Sequence, residues 1–161
     1  MNEQELQQLY AQVVALAQHI PMNERLARAD ASVTMVSPLC GSQVSVDLVL
    51  DGDRVAQFGQ KVRACTLGAA AASIVAGHVE GKRADELRAL RERMRNMLKN
   101  DGPPPDGDFA QLAILEPARD LISRHGSIML IFDAIAEALD EIQGHEKAPP
   151  QSKGIPDTVR A

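Results

Sequence analysis

The sequence predicts an α+β fold: a small three-stranded antiparallel sheet with helices packed on one face. Three observations carry that expectation. Val44, Val46, Leu48 and Leu50 alternate with Ser45, Asp47 and Val49, the period of a strand with one buried face. "DGD" at 51–53 separates that run from a second, Arg54 to Ala64, as a hairpin turn does. From Thr66 onward the period turns helical and no further strand pattern follows. Strands followed by a run of helices sort into an α+β arrangement, with the helices on one side.

Each element has its own local signal. Asn2 followed by Glu5 is a helix start, and Leu6, Leu9, Tyr10, Val13, Leu16 and Ala17 recur at helical spacing up to the stop at Pro21. Residues 22–30 read as a connector. The first strand is "ASVTMVSPL", with Val33, Met35 and Leu39 as its apolar members. In the third strand Val55, Phe58 and Val62 are less regular, and Gly59 is read as a bulge. "TLGAAAASIVAGHVEG" is a helix of small residues, suited to close packing. "RADELRALRERMRNMLK" is amphipathic, with Leu87, Leu90, Met94, Met97 and Leu98 on one side. Its other face is basic, with seven Lys or Arg against three acidic residues from Lys82 to Lys99; that is read as a solvated face, or else as a docking surface for an acidic partner. "NDGPPPDGD" is a loop, Asp108 with Gln111 opens a short helix that Pro117 limits, and 127–143 is the last helix.

The 161 residues fit one domain, 1–143, followed by a polar tail, 144–161, with three prolines and an expectation of disorder. Net charge is −5, which suits an acidic chain that does not bind phosphate backbones, and 2% aromatic residues leave little for base stacking. No run spans a bilayer: 66–77 is made mostly of small residues, and 128–139 is interrupted by Asp133 and Glu137. The N-terminus is acidic and polar rather than a signal peptide, so a cytoplasmic location is expected. There is no P-loop, dinucleotide fingerprint, nucleophile elbow or complete calcium loop, and the chain is not expected to be an enzyme.

The chemistry rests on two cysteines. In a reducing compartment a lone pair of thiols is buried packing, a redox pair or part of a metal site rather than a structural disulfide. Cys40 precedes one strand of the hairpin and Cys65 ends the other, with the turn about midway between them. The hairpin therefore brings both to one end of the sheet. Cys65 also precedes a helix, whose positive end favours a thiolate. Two thiols alone do not complete a tetrahedral metal site.

These stretches resemble a known family. "LYAQVV", "SPLCG", "RACTLGAAAASIVAGHVEGK" and "RHGSIMLIFDAIAEAL" together are similar to the IscU/SufU/NifU N-terminal family of iron–sulfur cluster assembly scaffolds, over roughly Leu9 to Leu139. The segment "FAQLAILEPARDL" gives the chain the look of the SufU branch. The resemblance implies a SufE/NifU-like α+β fold, a cysteine desulfurase as partner, apo iron–sulfur proteins or carriers downstream, and a site for zinc, iron or a [2Fe–2S] cluster. It matches the family's first two cysteines to Cys40 and Cys65. Ser42 stands where the family has an Asp, and Ser127 where it has a third cysteine. Arg124 matches the basic residue three positions before that cysteine.

Neutral hydroxyls are poor ligands for zinc or iron. Ser42 suits a turn, and Ser127 a helix N-cap or first-turn position. His125, two residues before Ser127, is the imidazole that can supply a ligand, whereas His78 lies about three turns past Cys65 by helix pitch. A homodimer offers the other route, with Cys40 and Cys65 of each copy giving four thiolates. The expected function is a scaffold or sulfur acceptor in iron–sulfur cluster assembly, working through Cys40 and Cys65. The alternative is a docking or regulatory paralogue that carries no cluster.

Overall fold

The structure, a computed structural model, describes residues Asn2–Gly144. The expected tail lies, apart from Gly144, outside the described residues. Helix α1, Glu3–Gln18, starts on a capping box: the Glu5 N–H donates to Asn2 Oδ1 at 2.8 Å and the Asn2 N–H donates to Glu5 Oε2. Strands β1 (Ala31–Val36), β2 (Gln43–Asp51) and β3 (Arg54–Arg63) form one antiparallel sheet in the order β1-β2-β3. The β2–β3 turn needs φ of +64° at Gly52, which glycine supplies without strain. Leu39 is not part of β1. The strand stops at Val36, and Leu39 is exposed in the following loop.

The bulge expected at Gly59 is elsewhere. Val49 pairs with Gln57 and Leu50 with Val55, so the extra residue in β3 is Ala56. Gly59 pairs regularly with Asp47 and serves a different purpose. A Cβ there would stand 2.5 Å from the Glu24 carbonyl oxygen. Glycine lets the 19–30 connector lie directly on the outer face of the sheet.

That connector covers Asp47, which is 1% exposed. Asp47 accepts hydrogen bonds from Arg25 Nε (2.7 Å) and Nη2 (2.9 Å), the Leu26 N–H (2.9 Å) and the Ser32 hydroxyl (2.6 Å). Burial opposes its ionisation, but these donors outweigh burial and hold the carboxyl below the usual range. The same segment fills the free edge of β3. The Gln60 N–H donates to the Met22 carbonyl and the Val62 N–H to Asn23 Oδ1, while Glu80 accepts from the Phe58 N–H.

Val44, Val46 and Leu48 point to the other face and are essentially inaccessible. Helices cover them. Helix α2 (Thr66–Ala76) is buried from Gly68 through Ala76. It ends sooner than the small-residue run suggests, because residues 77–83 turn back and pair with the start of β3, Arg83 opposite Arg54. Helix α3 (Ala84–Lys99) buries Leu87, Leu90, Met94, Met97 and Leu98, as its periodicity requires. Much of its basic face is engaged within the chain. Arg88 bonds Asp140 at 2.9 Å and Arg91 bonds Asp133 at 2.7 Å, both on α4 (His125–Gln143). Arg95 joins the same Asp133.

Between α3 and α4 the chain forms a 3-10 segment, Gly107–Asp120, that runs through Pro117 instead of stopping there. A proline withdraws only its own N–H, and the segment is anchored by buried Phe109, Leu112, Leu115 and Ala118. Helix α4 packs across β1 and β2 and against α2 and α3; α1 packs on α2. Gly144 closes α4 at φ +68°. No described helix is long and apolar enough to cross a membrane.

Candidate thiol site

The loop between β1 and β2 is tied by two backbone hydrogen bonds that share Ser37. The Ser37 N–H donates to the Ser42 carbonyl and the Gly41 N–H to the Ser37 carbonyl, both at 2.8 Å. Gly41 takes φ +72°, which lets the loop reverse and present Cys40 outward. At the other strand end Cys65 is the N-cap of α2, partly buried, with no hydrogen bond from its side chain to the helix. Both thiols are free, and the hairpin brings them to one end of the sheet as the spacing requires.

Ser42 and Ser127 meet between them. The Ser127 hydroxyl donates to Ser42 Oγ at 3.0 Å across 85 residues of sequence. Ser42 Oγ lies 3.0 Å from Cys40 Sγ and accepts the Cys65 N–H at 3.2 Å. Ser127 Oγ lies 3.2 Å from Cys65 Sγ. Ser42 is 4% exposed and Ser127 1%, so this chain of polar contacts runs under the exposed Cys40. Gly68 makes the arrangement possible: a Cβ there would be 2.5 Å from Ser127 Oγ and 2.9 Å from the Ser127 carbonyl oxygen. Ser127 lies in the first turn of α4 and not at its N-cap, which is Arg124, and its hydroxyl goes to Ser42 rather than to the helix end; that contact needs the folded chain.

The surroundings of Cys40 raise its acidity. The Ser42 hydroxyl contributes most, followed by the Ser42 backbone N–H; burial opposes them, and the Ser37 and Ser127 hydroxyls add less. The result is a pKa lowered to about 7. Alkylation of Cys40 should therefore rise with pH through a midpoint near 7. Ser42→Ala should move that midpoint upward and slow the reaction severalfold at pH 7. Site-resolved iodoacetamide kinetics from pH 5 to 10 will check this, and an unmoved midpoint would remove Ser42 as the cause.

His125 is placed differently from a ligand facing the thiols through both nitrogens. It is buried, and its Nε2 lies 3.1 Å from the Ala118 carbonyl and 3.0 Å from that of Arg119, the end of the 3-10 segment. An N–H at Nε2 donates to those oxygens, so that nitrogen is taken. Arg124 is exposed and immediately precedes α4. Among the described residues no group of three or more His, Cys, Asp or Glu is arranged to hold a metal ion. The site's own donors are two thiols and two hydroxyls already bonded to one another. That set in one chain does not fit zinc or an iron–sulfur cluster.

The site is thus an exposed, acidified thiol and a partly buried second thiol on a small α+β protein. Comparison with known proteins gives the family. Residues 10–116 match the NifU-like N terminal domain, and the chain belongs to that family. It is 24% identical over 134 residues to the iron–sulfur cluster assembly scaffold protein IscU of Streptococcus pyogenes serotype M1, covering 83% of this chain and 84% of that one. It is 22% identical over 139 residues to the zinc-dependent sulfurtransferase SufU of Bacillus subtilis, covering 86% and 95%. The crystal structure of a NifU-like protein (N-terminal) from Brucella abortus superposes with a TM-score of 0.84 at 40% identity, over 88% of this chain and 99% of that one. The α+β fold and the family expected from the sequence are both borne out.

Proposed function

We propose that this chain accepts sulfur from a cysteine desulfurase, as a persulfide on Cys40, and passes it into iron–sulfur cluster assembly in the cytoplasm. One observation carries the reading: of the two thiols that the resemblance matches to the family's cysteines, Cys40 is solvent-exposed with a pKa of about 7. A thiolate is the attacking form in sulfur exchange. Its lone pair attacks the outer sulfur of the donor persulfide, a new S–S bond forms, the donor's S–S bond breaks, and the electron pair leaves on the donor thiolate. Exposed Leu39, beside Cys40, gives an incoming protein an apolar contact. Downstream partners would be apo iron–sulfur proteins or carriers. A [2Fe–2S] cluster, iron or zinc would need donors beyond the two thiols of one chain, such as Cys40 and Cys65 of a second copy in a homodimer.

The second reading is a docking or regulatory module of the same machinery. It is favoured by Ser42 and Ser127, which stand where the resemblance implies ligands. Incubation with a cysteine desulfurase and cysteine, followed by mass mapping of alkylated peptides, separates the two. The expected result is one added sulfur on Cys40, lost in Cys40→Ser. Binding of the desulfurase with no added sulfur on either cysteine would leave the docking module.

A further inference from the structure

The hydroxyls between the two thiols have a definite direction. Ser42 Oγ has two lone pairs and one proton. It accepts from the Cys65 N–H at 3.2 Å and from the Ser127 hydroxyl at 3.0 Å, which uses both lone pairs. Its proton is left for Cys40 Sγ, 3.0 Å away. The Ser127 proton is already committed to Ser42, so across the 3.2 Å contact between Cys65 Sγ and Ser127 Oγ the thiol must be the donor. Every link then points the same way: Cys65 S–H to Ser127, Ser127 to Ser42, Ser42 to Cys40. We propose that Ser127, acting through Ser42, selects Cys40 over Cys65 as the nucleophile of this site.

This deepens the sulfur-acceptor reading and rests on it for the identity of the electrophile, although the selection applies to any electrophile. Ser127 is a positioning residue. It is 1% exposed, and its hydroxyl ends one donor chain while extending the next. The two serines, which stand where the resemblance places two ligands, give the two thiols unequal roles: Cys40 Sγ receives the Ser42 hydroxyl while its own S–H faces Ser37 Oγ at 3.7 Å, and Cys65 Sγ only gives a bond. A charge-assisted hydrogen bond is about twice as strong as a neutral one, so the receiving sulfur gains most when it carries negative charge.

The test uses the full chain with iodoacetamide, and in parallel with cysteine persulfide as a small sulfur donor, and reads the ratio of modified Cys40 to modified Cys65 by mass mapping. Wild type should modify Cys40 first. In Ser127→Ala that preference should fall severalfold, the scale expected for losing one neutral hydrogen bond at one remove from the thiolate. Ser42→Ala should abolish it, and Ser42→Thr, which keeps the hydroxyl, should restore it. Urea midpoints measured on each variant separate a selection effect from loss of fold. If Ser127→Ala does not fold, the Ser42→Ala and Ser42→Thr pair decides the question. An unchanged Cys40 to Cys65 ratio in the folded alanine variants overturns the proposal. Failure to take sulfur from a desulfurase, with the iodoacetamide ratio still dependent on both serines, counts against the proposed function and supports the selection.

Discussion

Gly68→Ala should destabilise this chain by about 2 kcal/mol, the usual cost of overpacking a well-filled interior. By helix propensity alone the change should help, because alanine is favoured over glycine inside a helix by about 1 kcal/mol. Packing decides the sign. The new Cβ would lie 2.5 Å from Ser127 Oγ, 2.9 Å from the Ser127 carbonyl oxygen and 3.2 Å from Ala64 Cβ. The Ser127 hydroxyl can rotate away. The carbonyl belongs to the first turn of α4 and moves only if that turn moves. Gly77, just past α2, is the internal control: with φ −67° and nearest atoms at 3.5 and 3.9 Å, Gly77→Ala should be neutral or slightly stabilising. Urea denaturation of the two variants side by side will read the difference. A Gly68→Ala protein as stable as Gly77→Ala would mean that α2 and α4 are not held in contact.

Asp47→Ala should cost about 3 kcal/mol, because it strands several donors at once. The Ser32 hydroxyl and the Leu26 N–H lose their acceptor, and Arg25 loses a two-point contact. The Arg25 side chain is half exposed and can return to water, which keeps the loss below that of a fully buried pair. The pH dependence follows from the lowered pKa of Asp47. A carboxyl held below its unfolded value of 3.8 contributes its full stability above that pH and loses it as the pH falls through the folded value. Wild type and Asp47→Asn should therefore differ most at neutral pH and converge below 3.8. Urea midpoints at pH 7, 5 and 3 will measure this, and a constant gap would show that Asp47 does not titrate with unfolding.

What the sequence made legible were the signals that act over a few residues. The Asn2–Glu5 capping box, the β2 alternation, the turn at Gly52 and the apolar stripe of α3 all appear where the spacing places them. The hairpin also placed both cysteines correctly at one end of the sheet. What was not legible depends on contacts far apart in the chain. Gly59 reads as a bulge in isolation; only the connector lying across it reveals a close approach. The basic face of α3 reads as solvated or free for docking until Asp133 and Asp140 arrive from α4. Pro117 reads as a stop, yet the buried side chains around it carry the 3-10 segment through. At the site, the sequence offers both thiols, Cys65 for its helix start and Cys40 for its turn; the serine two residues from Cys40 that acidifies it resembles any turn residue. The Ser42–Ser127 bond spans 85 residues and has no local signature.

The two sides of the sheet differ in what they offer to a stranger. The donors of Phe58, Gln60 and Val62 on β3 are already satisfied by Glu80, Met22 and Asn23. Among the described residues β1 has no strand beyond it. Were two copies to pair edge to edge, β1 is the edge left for it among the described residues, and the joined sheet would end on β3 edges whose Phe58, Gln60 and Val62 donors are taken, which blocks strand-by-strand growth.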